Sequence, residues 1–212
     1  MDTGISSFGS WNLRIRPGTS RRILLLLHGW TGDENSMSIF TRNLPPDYWI
    51  LSPRAPYTAS PNGYSWRARS SVQDQPSVEA FLPSCQALME MIDQWAEVNQ
   101  LDVSTIDIAG FSQGAAMTFT LGLLYPDRIG KMGVLAGFAP LGAEEIAKPD
   151  MFSNKTFFVA HGTLDETVPL KMVERTLHLL KNAGAQVIYN ESQVGHKLSS
   201  EGLKAFEQYL LY

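Results

Sequence analysis

A serine at 112, an aspartate at 165 and a histidine at 196 stand in this chain in an order and in surroundings suited to nucleophilic chemistry. A serine hydroxyl attacks a carbonyl only when a neighbouring base takes its proton. An imidazole can act as that base when a carboxylate fixes its tautomer and stabilises the imidazolium. Ser112 is the centre of Gly110-Phe111-Ser112-Gln113-Gly114, a G-x-S-x-G run. Between a strand and a helix, that run makes a sharp turn which lifts the hydroxyl clear of the sheet. Such a turn brings backbone so close that a Cβ at either flanking glycine would collide. Asp165 closes His161-Gly162-Thr163-Leu164-Asp165, directly after the apolar run Phe157-Phe158-Val159-Ala160. His196 follows Val194-Gly195, after the alternating stretch Ala185–Tyr189. Glu166 is the competing carboxylate, but the spacing favours Asp165, with Glu166 facing solvent.

Attack on a carbonyl puts negative charge on oxygen, which preplaced backbone N–H groups must meet. The N–H of Gln113, next to the nucleophile, is one candidate. The other should come from a loop after an earlier strand, often marked by His-Gly. Here Ile23–Leu27 is followed by His28-Gly29-Trp30-Thr31-Gly32, which nominates the N–H of Trp30. His28 reads as a buried histidine holding this loop rather than as a second base.

Strands must carry these residues at one end of a sheet. Ser104–Ala109 reads as the strand before Ser112, and Ala115–Tyr125 as the helix after it, stopped by Pro126. Trp11–Arg16 reads as an edge strand, Tyr48–Ser52 and Lys131–Ala136 as further strands, and Glu34–Leu44 as a helix ended by Pro45-Pro46. A helix with apolar residues from Leu82 to Ala96 runs through Gln100 and should start or bend at Pro83. Val168–Ala183 and Ser199–Leu211 are the last helices. Strands alternating with helices predict one α/β domain over residues 1–212, with a mostly parallel sheet covered on both faces. Residues 53–77 form a long loop whose Tyr57, Tyr64 and Trp66 suit a pocket wall. Only a short segment, Gly137 to Asn154, is available as a lid, with room for one helix around Ala143–Ala147. Phe138, Leu141, Met151 or Phe152 would supply the wall there, over a shallow, open site.

The chain resembles the phospholipase/carboxylesterase family of small α/β hydrolases, which includes the acyl-protein thioesterases. The resemblance runs from about Ile23 to the end of the chain. It rests on Leu27-His28-Gly29, Pro53-Arg54-Ala55-Pro56 with Gly63-Tyr64-Ser65-Trp66, Gly110-Phe111-Ser112-Gln113-Gly114, His161-Gly162 with Asp165 and Val168-Pro169, and Gly195-His196. It implies an α/β-hydrolase fold and cleavage of a carboxylic ester or thioester through an acyl-enzyme. Trp30-Thr31 stands where the family more usually has Leu-Gly. An amidase, C–C hydrolase or perhydrolase would use the same triad, and a small-molecule receptor can share the fold.

Composition narrows the field. A formal charge of −4 over 212 residues gives no electrostatic case for nucleic acid or an anionic membrane. No apolar run has the length of a membrane span, and no basic-then-apolar leader precedes the fold. Cys85 is the only cysteine, and the four histidines are scattered, so neither an internal disulfide nor a zinc cluster is expected. The proposed chemistry needs no cofactor and no metal. A cytoplasmic enzyme acting on a small ester or thioester fits these facts best.

Overall fold

The computed structural model describes residues 4–44, 46–59, 62–68 and 75–211. Two antiparallel strands open the chain, β1 (Gly4–Phe8) and β2 (Trp11–Arg16), followed by β3 (Ile23–Leu27) and β4 (Trp49–Pro53). A small hairpin, β5 (Tyr57–Thr58) and β6 (Tyr64–Ser65), lies within the long loop before α1 (Val78–Val98). Then come β7 (Ile106–Phe111), α2 (Gln113–Leu124), β8 (Ile129–Leu135), α3 (Ala143–Ile146), β9 (Thr156–Gly162), α4 (Leu170–Asn182), β10 (Gln186–Ser192) and α5 (Ser200–Leu211).

Eight strands form one sheet in the order β1-β2-β4-β3-β7-β8-β9-β10. β1–β2 and β2–β4 are antiparallel, and every pairing from β4 to β10 is parallel. β3 reads Ile-Leu-Leu-Leu-Leu with all five residues buried, as a parallel strand covered on both faces should be. One face packs on α1, α2 and α4, and the other on α5 and residues 37–44. The register sets Leu27 beside Gly110, Gly110 beside Val134, Val134 beside Val159 and Val159 beside Tyr189. The carboxyl ends of β3, β7, β9 and β10 therefore lie at the same end of the sheet, with β9 and β10 running on past β3. Loops leaving them meet at one edge of the sheet, where open α/β sheets bind ligands.

Three elements differ from the sequence expectation. β1 lies outside Trp11–Arg16, so that strand is interior to the sheet rather than its edge. The helix expected over Glu34–Leu44 is a series of turns with one 3-10 turn, Ser38–Thr41. Its first residues are taken by local bonds: Asp33 Oδ1 accepts from the Asn35 N–H and from Ser36 Oγ. Such side-chain bonds compete with helix formation. The helix through Pro83 begins before it, at Val78, with Ser77 as cap. Burial of Phe81, Cys85, Leu88, Met89, Ile92 and Trp95 holds that helix although Pro83 has no N–H to give. Within the 53–77 loop, residues 60–61 and 69–74 lie outside the described residues, as does Pro45.

Candidate active site

At the end of β7 the chain turns sharply at Ser112, with φ 55° and ψ −117°. A non-glycine residue in this region carries strain of about 1–3 kcal/mol and persists only where its surroundings enforce it. The enforcement is visible. The Ser112 N–H donates to Leu135 O on β8, and Ser112 O accepts from the Ala115 and Ala116 N–H groups that open α2. A Cβ on Gly110 would lie 2.1 Å from Gly114 O, and one on Gly114 would lie 2.1 Å from Leu27 O. The two glycines let β7, α2 and β3 converge behind the serine.

The three residues singled out from the sequence meet here. His196 Nε2 is 2.9 Å from Ser112 Oγ, and His196 Nδ1 is 2.7 Å from Asp165 Oδ2. A carboxylate can only accept, so Nδ1 carries the proton and Nε2 is left to accept from the serine hydroxyl. Asp165 is buried, and its Oδ1 accepts the N–H groups of Thr167 (2.8 Å) and Val168 (2.9 Å). Those bonds fix the carboxylate so that its other oxygen faces His196. Glu166, by contrast, is exposed. His161 steadies the same turn, because its Nε2 lies 2.9 Å from Val168 O. The Phe111 ring packs against the His196 ring at 4.9 Å between centroids.

The loop after β3 faces Ser112 from the other side. His28 is fully buried, with Nδ1 2.7 Å from Gly29 O and Nε2 accepting the Ala55 N–H at 3.0 Å. Both ring nitrogens thus hold main chain, one as donor and one as acceptor, which requires the neutral ring. The Thr31 N–H is committed to Tyr64 O and the Gly32 N–H to Gly29 O. Gln113 is the first residue of α2, where an N–H has no partner within the helix. A side-chain ion pair clamps the surrounding loops: Arg54 donates from Nε and Nη2 to the two oxygens of buried Glu34, each at 2.7 Å, and stacks on Tyr64.

Two of the wall residues expected from the sequence, Trp66 and Phe152, do other work. Trp66 is fully buried and its indole N–H donates to His28 O at 2.8 Å, so it props the loop from beneath. Phe152 is also buried, edge-on to Phe157 in the core. Neither presents a surface that a substrate could touch. Phe138 keeps a small exposed face, and Leu141 is 43% exposed. Phe138 follows Gly137, where a Cβ would lie 3.1 Å from Ser112 O, so its backbone adjoins the serine. The sequence reading missed the Gln113 side chain. Its Oε1 accepts the Trp66 N–H at 2.9 Å, tying α2 to the β6 loop. A polar residue directly inside an apolar helix was the available signal.

Burial holds the imidazoles of His28 and His161 below their ordinary value of 6.5, because the charged ring would lose its water. The unfolded rings take up protons that the folded ones resist. The stability gained from the neutral rings is complete above 6.5 and is drawn down as the pH falls below it. Thermal melts should therefore show a Tm lower by a few degrees at about pH 5.5 than at about pH 7.5. A Tm that holds or rises over that interval would contradict the assignment.

Among the described residues no helix is long and apolar enough to cross a membrane, and no His/Cys/Asp/Glu group is arranged to hold a metal ion. A cavity of about 660 Å³ lies at the opposite, amino ends of β8 and β9, lined by Gly130, Lys131 and Thr156 among others.

The chain is 28% identical over 164 residues to acyl-protein thioesterase 1 of Candida albicans, covering 72% of this chain and 71% of that one. It is 27% identical over 196 residues to the MhqD protein of Bacillus subtilis, covering 91% and 94%. A carboxylesterase structure from Mesorhizobium loti superposes with a TM-score of 0.83 over 100% of this chain and 99% of the other; at 21% identity this likeness speaks for the fold alone. The phospholipase/carboxylesterase family model matches residues 16–212. With its mostly parallel sheet flanked by helices, the chain belongs to the phospholipase/carboxylesterase family of α/β hydrolases.

Proposed function

We propose that the whole chain acts as one domain, a serine hydrolase that cleaves carboxylic esters or thioesters through an acyl-enzyme. The observation that carries this reading is the unbroken hydrogen-bond chain Asp165–His196–Ser112 at a strained strand-to-helix turn. Ser112 is the nucleophile, His196 is base and then acid, and Asp165 holds the imidazole in place. The N–H groups of Trp30 and Gln113 meet the charge that develops on the carbonyl oxygen. His196 first takes the serine proton and gives it to the departing alcohol or thiol. It then draws a proton from water, which attacks the acyl-enzyme and frees the acid. The reaction needs no cofactor, and the single buried thiol of Cys85 suits a cytoplasmic setting.

The acyl limb is assigned to the side of Phe138 and Leu141. The short segment there, with α3 as its only helix, supports a shallow acyl site. Each methylene that is fully buried contributes about 0.8 kcal/mol, so kcat/KM should climb with acyl length only while the wall can cover the added carbon. A panel of methyl or thiol esters of increasing acyl length is expected to peak at short to medium chains. Phe138→Ala should flatten that profile. A preference still rising past about a dozen carbons would contradict the shallow site.

A further inference from the structure

A second cavity, of about 480 Å³, is bounded by the loop after β3 and the two residues that follow His196. Gly29, Trp30, Met37, Phe40, Phe111 and Leu203 of α5 are among the residues that line it. Lys197 and Leu198, the two residues after His196, complete the rim. Ile39, also in the lining, is 49% exposed, so the hollow carries open apolar surface. The cavity adjoins the reacting centre, because Gly29 in its lining packs on Ser112: a Cβ there would lie 3.4 Å from Ser112 Cβ and 3.3 Å from Phe111 Cδ1. Phe111 in turn packs on the His196 ring.

We propose that this cavity binds the leaving limb of the substrate, and that the limb is an apolar alcohol or thiol. The inference rests on the serine-hydrolase reading. In acylation Ser112 Oγ bonds to the carbonyl carbon while its proton passes to His196 Nε2. When the adduct collapses, the bond from that carbon to the leaving oxygen or sulfur breaks. The leaving atom takes the proton from Nε2 and departs as a neutral alcohol or thiol. That atom must therefore sit within hydrogen-bond reach of Nε2, and whatever it carries extends past His196. The chain immediately beyond His196, Lys197 and Leu198, lines this cavity, whereas Phe138 is not among its lining residues. The volume falls within the usual range for small-molecule pockets, roughly 300–1,000 Å³. Its walls offer chiefly hydrocarbon, which selects an alkyl or aryl limb.

The test holds the acyl group constant and varies the alcohol. Across methyl, butyl and hexyl acetate the leaving-group acidity hardly changes. The kcat/KM should nevertheless rise two- to fourfold per carbon, from about 0.8 kcal/mol for a fully buried methylene. Because kcat/KM reports acylation, the rise belongs to the leaving limb. Ile39→Trp, at an exposed position that tolerates bulk, should fill the hollow and cut the hexyl-to-methyl ratio at least fivefold. Leu203→Trp should do the same. Added hexanol should also capture the acetyl-enzyme more effectively than methanol, since the reverse step uses the same site. A flat alcohol series in protein that a fluorophosphonate labels at Ser112 would overturn the inference and leave the serine chemistry standing. Loss of an acyl-length preference in Ile39→Trp, with the alcohol series untouched, would overturn it by giving the cavity to the acyl limb. Absence of labelling would remove the serine reading and this proposal together.

Discussion

Ser112→Ala is expected to lower kcat by on the order of 10⁶-fold and to abolish labelling by a fluorophosphonate, which wild type should carry at this one residue. The size of the effect follows from the site's construction. His196 Nε2 and Ser112 Oγ, 2.9 Å apart, act as a unit, so removing the hydroxyl leaves a base with nothing to activate. The fold should survive, because the strain at this turn comes from the backbone and a methyl group occupies less space than the hydroxymethyl it replaces. The variant's far-ultraviolet circular dichroism and Tm should match wild type within a few degrees. Labelling at another serine, or turnover above roughly one per cent of wild type, would refute the role given to Ser112.

Asp165→Asn should follow with a loss on the order of 10⁴-fold in kcat. The amide oxygen can still accept the Thr167 and Val168 N–H groups at the Oδ1 position, so the turn keeps its shape. The amide NH₂ then faces His196 Nδ1 and donates to it. That drives the ring proton to Nε2, where it blocks acceptance from the serine. Glu166→Gln, one residue along and exposed, should remain within a few-fold of wild type. The reverse ranking of these two variants would show that the wrong carboxylate had been assigned.

The residues of the candidate site were more legible than their supports. Ser112, Asp165 and His196 each follow an apolar or alternating run that can only be a strand, and chain order did the rest. The loop after β3 was legible for a similar reason, since Ile23–Leu27 leaves no doubt about where the strand ends. The support was hidden because it depends on distant pairing. Nothing local tells that Trp66 gives its N–H to His28 O while Tyr64 is only half-buried, under Arg54. Phe138 and Phe152 are the same residue type on the same segment, yet one follows the Gly137 that abuts Ser112 and the other packs on Phe157. Over Glu34–Leu44 the apolar spacing favoured a helix, and the Asp33, Asn35 and Ser36 side chains overruled it. β1 escaped notice because only its pairing with β2, not its composition, makes it a strand.

The histidine follows an edge strand of the sheet. β10 pairs on one side only, with β9, and its residues alternate between exposed and half-buried rather than reaching the core. Segments of this kind open locally at a lower free-energy cost than the strands they flank. Ser112 and Asp165, by contrast, are anchored to β7 and β9, well inside the sheet. On warming, His196 should therefore leave Ser112 while most of the hydrophobic core is still intact. If Ser112 is the nucleophile, turnover should then fall at a lower temperature than the global melt, dating the fraying of an edge rather than the melting of the protein.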